Sequence, residues 1–311
     1  MNVGESKWIE NVDLLVTQAG GCAWGISHAD EMEPEVVAEM DSWIANGKNA
    51  EMDYLRRHAD LKKNLNTVLP GCRSILVVMF PYYHSFRRNE NAMLFSRYAL
   101  GQDYHTVIKR QLKPLSAFIR DDFGGKTRIC VDSAPVAERY WALKCGVGSV
   151  GKNGLIYVPG YGSWVFVGEI LSTAELPEKH GGAGSLFLEE CKDCRKCVDA
   201  CPGKAIEDKG KIDCRRCRSY LTVEYKGESL PSEVNLKNRI YGCDICQEIC
   251  PVNNIPIPDS SLFSPKENLV NLSMEDIQSL DEVGFKSLVK GTAATRIDLN
   301  QLKRNAGLKN K

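Results

Sequence analysis

The chain carries no excess of either charge: 40 Lys and Arg balance 40 Asp and Glu over 311 residues, for a formal net charge of +0. With a pI near 6.9, no global field draws it to nucleic acid or membrane, so a polyanionic partner would need a local basic face. No apolar run approaches the roughly 20 residues of a membrane span. The N-terminus, MNVGESKWIE, has neither an apolar signal core nor a twin-arginine pair, which leads us to expect no export. Histidine is scarce, and His28, His58, His84 and His180 stand at no metal-binding spacing. No internal repeat appears apart from two cysteine runs. Cysteine is what the chain has in quantity, 13 in all. Unexported thiols point to a reducing, cytoplasmic compartment.

Four of the cysteines fall in CKDCRKCVDACP, where Cys191, Cys194, Cys197 and Cys201 follow the C-x2-C-x2-C-x3-C-P spacing of bacterial ferredoxins. A second run, YGCDICQEICP, supplies Cys243, Cys246 and Cys250 before another Pro. In two-cluster ferredoxins the fourth Cys of each run serves the other run's cluster. The first cluster is thus expected on Cys191, Cys194, Cys197 and Cys250, and the second on Cys201, Cys243, Cys246 and one more thiolate. Ile240 stands where the second run's first Cys would be, so Cys214 or Cys217 must supply that ligand. Structural zinc is the competing reading, but zinc knuckles are usually separated by longer loops. Two 4Fe–4S clusters fit the compact spacing better, and they make electron transfer the first expected task. Cys22, Cys72, Cys130, Cys145 and whichever of Cys214 and Cys217 is not a ligand read as small buried hydrophobes.

With 43% hydrophobic residues, a chain of this length can bury a sizeable core and carry a second module. The Pro, Gly and charge of PEKHGGAGS suggest a division near Leu176–Ser185. Before it, helices are expected at about Ser6–Ala19 and Pro34–Asn46, with a long amphipathic one at Tyr104–Phe123. Strands are expected at Cys22–Ser27, Ser74–Phe80, TRICVD and SWVFVGEIL, and a further helix at PVAERYWALKC. After the cysteine runs, the prolines of PVNNIPIP break structure and a short helical tail begins at Met274.

Three features of the first region invite a chemical reading. Gly146, Gly148 and Gly151 form G-x-G-x-x-G with Glu169 some twenty residues on, but they follow a helix where a dinucleotide site needs a strand. Gly146 then reads as the residue that ends the helix, and the flexible backbone suggests close approach to a large cofactor. Asp132 closes the strand TRICVD, where it is either a helix cap or a general acid at a strand end. Asp103-Tyr104-His105 starts like a cobalt-binding D-x-H-x-x-G motif, but Ile108 replaces the Gly. His105 therefore reads as an ordinary histidine at a helix start.

The segments SRYALGQDYH, VDSAPVAER, GVGSVGKNG, GSWVFVGEI, the ferredoxin run, CRSYLTVE and NRIYGCDICQEICP occur in the order found in epoxyqueuosine reductases, and from about Asp53 to Asn305 the chain resembles that family. The resemblance implies an α+β protein: a nitroreductase-like cobalamin-binding domain over 1–180, a ferredoxin-like two-cluster module over 181–255 and a short helical basic tail over 256–311. It also implies reduction of epoxyqueuosine to queuosine at the wobble position of tRNA, the last step of queuosine biosynthesis. Cobalamin would be fed electrons by two 4Fe–4S clusters and a soluble donor, in a cytoplasmic monomer without membrane attachment. By this resemblance Asp132 is the proton donor and Cys217 the missing cluster ligand. Ser219, Cys243 and Asp244 touch the corrin, as do Ser96, Lys152 and Asn153, while Arg139 and Lys226 lie near the tRNA. Where many members carry a helical-repeat extension, this chain ends.

The implied chemistry is coherent. Converting an epoxide to an alkene takes two electrons, two protons and loss of oxygen as water, and carbon–oxygen cleavage of this kind suits reduced cobalt. An acid that protonates the departing oxygen needs burial to lift its pKa. From Lys286 onward the bases Lys286, Lys290, Arg296, Lys303, Arg304, Lys309 and Lys311 face the single acid Asp298. That is either a phosphate-binding face, with Arg296, Lys303 and Arg304 as contacts, or a solvated end. A dehalogenase-like enzyme for small organohalides and a simple electron carrier are the rival readings. The first lacks its export signal, and the second leaves the large first domain without a task.

Overall fold

The computed structural model describes residues 3–183, 185–207 and 210–308. Eight strands form: β1 (Ala23–His28), β2 (Ser74–Pro81), β3 (Leu94–Phe95), β4 (Thr127–Cys130), β5 (Ser149–Val150), β6 (Ile156–Tyr157), β7 (Val165–Ser172) and β8 (Arg239–Tyr241). The main sheet has the order β1-β2-β7-β4, and every pairing in it is antiparallel. The fold is α+β.

The run SILVVMF forms a central strand because it is apolar on both faces. Alternation sends Leu76, Val78 and Phe80 into one core and Ile75, Val77 and Met79 into another. The first core holds helices α1 (Val3–Gln18), α5 (Tyr104–Gln111) and α6 (Lys113–Phe123). The second holds α7 (Glu138–Lys144), through Trp141 and Ala142. Helix α5 sits close to the sheet because Gly168 offers no side chain: a Cβ there would lie 2.6 Å from Ile108. The remaining helices of this region are α2 (Pro34–Ala45), α3 (Asp53–Arg57) and α4 (Ala59–Lys62).

Several expectations are corrected here. The long helix expected over Tyr104–Phe123 is two helices that meet at Leu112, since Pro114 supplies no N–H for the ladder. The strand expected through Asp132 stops at Cys130, and the following helix starts at Glu138 rather than Pro135. The segment read as a linker is packed. Leu176 is buried, Lys179 bridges to Ile26 of β1, and Gly181 and Ala183 donate to Cys145 and Gly146.

The two-cluster region has short helices α8 (Lys196–Ala200), α9 (Arg218–Val223) and α10 (Ile245–Glu248). It is built into the first domain at several points. Trp43 Nε1 donates to the Ile212 carbonyl at 2.7 Å, Cys214 N–H donates to Lys48, and β3 pairs with β8 in parallel.

The tail is no solvated end. Helices α11 (Glu267–Val270), α12 (Met274–Ser279), α13 (Glu282–Val289) and α14 (Leu299–Asn305) bury Leu269, Ile277, Phe285 and Leu302 against Phe95, Leu100 and Tyr241. Each such side chain contributes about 1.5–3 kcal/mol. Ser273 and Asp298 cap α12 and α14 with reciprocal capping boxes. Arg304, read from sequence as a tRNA contact, is only 7% exposed. Its guanidinium donates to the carbonyls of Tyr225, Gly227 and Leu221. Arg304→Ala is therefore expected to lower stability by about 3 kcal/mol or more, because orphaned buried acceptors cost about 1–3 kcal/mol each. Urea unfolding followed by circular dichroism measures this.

Candidate active site and cluster module

Asp132 stands two residues beyond the end of edge strand β4, where α5 from one helical layer and α7 from the other converge. Its backbone is left-handed, with φ 53°, a conformation that costs a non-glycine residue roughly 1–2 kcal/mol. The turn is held from α7, because the Asp132 N–H donates to Glu138 Oε1. The helix-cap reading fails: the residue before α7 is Ala137, with no side-chain cap.

The Asp132 carboxylate instead faces α5. Tyr104 OH donates to Oδ2 at 2.7 Å, and His105 Nε2 lies 2.9 Å from the same oxygen. Tyr104 is fixed by stacking on Phe166 of β7, with centroids 4.3 Å apart. His105 Nδ1 is 2.7 Å from Asp103 Oδ1, and Asp103 also caps α5 by accepting from the His105 N–H. Asp103, His105 and Asp132 thus form a chain in which one proton is shared between imidazole and Asp132.

The expected upward pKa shift of Asp132 is not found. Burial pushes its carboxyl up, but hydrogen bonds from His105 and Tyr104, with the charges of His105 and Lys62, hold it below the ordinary value. His105 is shifted the other way: burial lowers it, and the contacts to Asp132 and Asp103 outweigh that and raise it. The resting proton therefore sits on the imidazole. His105, taken from sequence as an ordinary histidine, is a member of the site, as are Tyr104 and Glu138. The triplet Asp103-Tyr104-His105 was the available signal.

The Asp132 side chain is 55% exposed although Tyr104, His105, Glu138 and Lys62 neighbour it, so the carboxyl stays open to a ligand. Tyr54 reaches the same place. Its phenol is pushed up to about 12 by burial, with Glu224, Arg296 and Asp132 among its neighbours. Arg296 forks onto Glu224 at 3.0 and 2.8 Å and lies over the Tyr54 ring, 5.7 Å from its centroid.

The cysteines sort into two sets across the distant runs. Cys197 is pushed up to about 11 by burial and by its neighbours Cys191, Cys250 and Cys194. Cys243 is pushed up to about 11 by burial, with Cys217 adding. Cys246 is raised by burial, then by Cys243 and Cys217, and last by Asp244 and by Cys197 of the first set, and Cys217 by burial and Cys201. Cys214 is pushed up by burial, with Cys217 and Asp213 adding and Arg139 opposing. Among the described residues, no His, Cys, Asp or Glu side chains gather tightly enough to hold a single metal ion, so these are sets of neighbouring thiols rather than closed mononuclear sites.

Other residues singled out from sequence have internal partners. Asn153 donates to Tyr157 OH at 2.9 Å, and that hydroxyl donates to Cys250 Sγ at 3.2 Å. Lys152 Nζ donates to the Lys192 carbonyl at 3.2 Å, next to Cys191. This pair thus lies against the first set of thiols. Ser96 donates to Asp244 Oδ1, and the Arg97 N–H donates to Oδ2 at 2.8 Å, which bolts the loop before α5 to the start of α10. Ser219 lies in α9, half-buried. Arg139 Nη1 donates to the Gly154 carbonyl at 3.0 Å, and Lys226 Nζ to Gln301 Oε1 at 2.9 Å. Lys303 Nζ donates to the Leu280 carbonyl at 2.8 Å. Lys309 and Lys311 lie outside the described residues.

The glycine motif is also corrected. Gly146 does end α7, with φ 66°. Gly148 and Gly151, however, are glycines because of the chain's own β5–β6 turn. A Cβ on Gly148 would meet the Tyr157 carbonyl at 2.7 Å, and one on Gly151 the Tyr157 ring at 2.6 Å. They do not mark a cofactor cradle, and Glu169 is fully buried rather than placed to bind a ribose.

Comparison with known proteins agrees with this layout. Residues 62–133 match the family model described as "Epoxyqueuosine reductase QueG, DUF1730". Residues 190–253 match a "4Fe-4S double cluster binding domain". An epoxyqueuosine reductase of Cellulophaga algicola is 34% identical over 94% of this chain and 96% of its own length. The chain belongs to the epoxyqueuosine reductase family. A second family member, from Vibrio cholerae, is 36% identical over 90% of this chain and 77% of its own. Among solved structures, the Streptococcus thermophilus family member superposes with a TM-score of 0.85 at 25% identity, covering 98% of this chain and 80% of that one. Another family structure, solved with an epoxyqueuosine-modified tRNA-Tyr stem loop, gives a TM-score of 0.84 at 25% identity, covering 97% and 80%.

Proposed function

We propose that this chain reduces epoxyqueuosine to queuosine in tRNA, with Asp132 delivering a proton to the departing oxygen. The observation that carries the reading is the Asp132 carboxyl. In a chain of this family, it is held in a left-handed turn, shares a proton with His105 and stays open to a ligand. We assign the first 4Fe–4S cluster to Cys191, Cys194, Cys197 and Cys250, and the second to Cys201, Cys217, Cys243 and Cys246. Buried thiols whose neighbours are other thiols suit clusters, because iron removes the protons that burial otherwise retains.

Cobalamin suits the open face of Asp132. The donor carboxyl is half exposed there, and a planar ligand that covers it would complete the burial. Asp132, Ser219 and Cys243 would line the ligand, while Ser96 and Asp244, locked together, shape the wall behind it. When bound, reduced cobalt supplies the electrons that cleave the carbon–oxygen bond. The protein's own task is protonic. Covering Asp132 removes water and disfavours its carboxylate, so the shared proton moves from His105 Nε2 toward Asp132 and on to the leaving oxygen. Tyr104 OH keeps the carboxyl aimed, and Asp103 holds the imidazole in the matching orientation.

Of the bases expected at the tRNA, Arg296 shares the neighbour Tyr54 with Asp132 and pairs with Glu224, which favours it as a contact. Arg296→Ala is expected to raise KM for tRNA and flatten the salt dependence of binding by about one counterion's worth. Filter binding at several salt concentrations reads this slope. No helix of the described residues is long and apolar enough to cross a membrane, and we infer a cytoplasmic monomer served by a soluble electron donor. The function is tested by nucleoside mass spectrometry of tRNA from cells lacking the protein. Epoxyqueuosine should accumulate, and a normal queuosine level would refute the reading.

A further inference from the structure

We propose that Tyr157 tunes the first iron–sulfur cluster by donating its phenolic hydrogen to the sulfur of Cys250. The inference rests on the cluster assignment above, in which Cys250 is the ligand that crosses over from the second cysteine run. Tyr157 lies in β6 of the first domain. The catalytic domain, and not the ferredoxin-like module alone, therefore sets this cluster's potential.

The direction of the bond follows from its partners. Tyr157 OH lies 3.2 Å from Cys250 Sγ, and Asn153 Nδ2 donates to the same hydroxyl at 2.9 Å. The amide is held in this sense at both ends. Asn153 Oδ1 accepts the Leu155 N–H at 3.3 Å, and Nδ2 also donates to the Cys246 carbonyl at 3.3 Å. With its oxygen occupied as an acceptor, the hydroxyl aims its hydrogen at sulfur. A thiolate on iron has no proton to give, and a phenol with an ordinary pKa near 10 keeps its own at neutral pH. Among the described residues, Tyr157 is the one side chain hydrogen-bonded to an assigned cluster ligand. The backbone N–H of Ala205 reaches Cys201 of the other set at 3.3 Å.

Burial gives the bond its weight. Tyr157, Asn153 and Cys250 are 3%, 5% and 8% exposed, so water neither competes for the sulfur nor screens it. Reduction adds one electron, from the soluble donor, and no proton. The added negative charge spreads onto the thiolate sulfurs, so a hydrogen bond to one of them is stronger in the reduced state. That raises the potential. A raised potential lets the first cluster take its electron from a milder donor. It also distinguishes this cluster from the second, which the proposed function places toward the corrin through Cys243.

The position of Cys250 does not depend on this bond. Gln247 Nε2 donates to the Ser163 carbonyl at 3.0 Å and to Tyr82 OH at 3.1 Å. Asn253 Nδ2 donates to Ser163 Oγ at 2.8 Å. Gln247 and Asn253 flank Cys250 in sequence, so its turn is pinned to the first domain on both sides. The Tyr157 ring has room because Gly151 lacks a side chain, and a Cβ there would lie 2.6 Å from it.

The test uses the full chain with both clusters reconstituted anaerobically. Tyr157→Phe keeps the ring and removes only the hydroxyl. Redox titration followed by electron paramagnetic resonance reads each cluster, and Cys250→Ala identifies the first as the signal that it removes. In Tyr157→Phe the iron content should be unchanged. The first cluster should become harder to reduce by about tenfold in its equilibrium, or about 59 mV for a one-electron couple, while the second stays where it was. Wild-type protein prepared in D2O should show a deuteron coupled to the first cluster in electron–nuclear double resonance, and Tyr157→Phe should lack it. Full iron with both potentials unmoved, or with that deuteron retained, overturns the tuning role. If Tyr157→Phe fails to fold, 3-fluorotyrosine at position 157 decides. It is a stronger donor of the same shape and should raise the first potential, and no rise overturns the role. Retention of both clusters in Cys250→Ala would remove the cluster assignment and the tuning with it, whereas an unmoved potential on full iron counts against Tyr157 alone.

Discussion

Asp132→Asn should lower kcat by about 10²–10⁴-fold, the usual share of a general acid, with KM for tRNA unchanged. The substitution is clean for a local reason. Asp132 has φ 53°, and Asn is among the few non-glycine residues that tolerate the left-handed region, so the turn held by Glu138 survives. The Asn carbonyl still accepts from Tyr104 OH. The same oxygen still faces His105 Nε2, but what is lost is the carboxylate charge that can take up the shared proton and pass it on. The pH behaviour gives a second check. His105 is raised in the native protein by its contacts with Asp132 and Asp103, so its partnership with Asp132 stabilises the fold fully at acid pH. That contribution fades as pH rises through the raised value. In the Asn variant one of the two raising partners is gone, and a histidine titration followed by NMR should move down. Near-wild-type turnover with an unmoved titration would remove Asp132 from the chemistry.

Cys250→Ala should abolish the first cluster even though the other three assigned ligands lie in the run that starts at Cys191. The crossing is visible in the thiols: Cys197 feels Cys191, Cys194 and Cys250, while Cys246 responds mainly to Cys243 and Cys217. Iron content should fall by about half, because an Fe–S cluster needs its full set of thiolates. The surviving electron paramagnetic resonance signal should belong to the Cys243–Cys246 set. For that second cluster, Cys217→Ala should be as damaging, and Cys214→Ala tolerated. Cys217 has Cys201 as its thiol neighbour, whereas the only thiol acting on Cys214 among the described residues is Cys217, with Asp213 and Arg139 as its other neighbours. If Cys214→Ala loses iron and Cys217→Ala does not, the two exchange roles. If Cys250→Ala loses the second cluster instead, the crossed assignment is wrong.

Local rules were enough wherever the signal was short-range. The cysteine spacing marked the two-cluster region, and the family model over residues 190–253 agrees with it. SILVVMF was legible as a buried strand because six apolar residues in a row, Ile75 to Phe80, have few other uses. Gly146 was legible as a helix end because its position needs a positive φ. Pro114 carried the break between α5 and α6, a signal present in the sequence and overridden there by the amphipathic pattern on either side.

Tertiary structure decided what each charged group is for. In sequence, Arg296, Lys303 and Arg304 are equivalent members of a basic tail. In the fold Arg304 is swallowed by three carbonyls, Lys303 ties down Leu280, and Arg296 pairs with Glu224 over the Tyr54 ring. Asp132 and His105 are 27 positions apart and share a proton only because α5 crosses the sheet at Gly168. Glu169 looked like part of a nucleotide motif, and its isolation appears only once β7 is flanked by β2 and β4. Composition and spacing specify which cofactors the chain can hold, because cluster ligation is a matter of residue type and near neighbours. Protonation is set by desolvation and by partners from distant segments, and those exist only after the layers have packed.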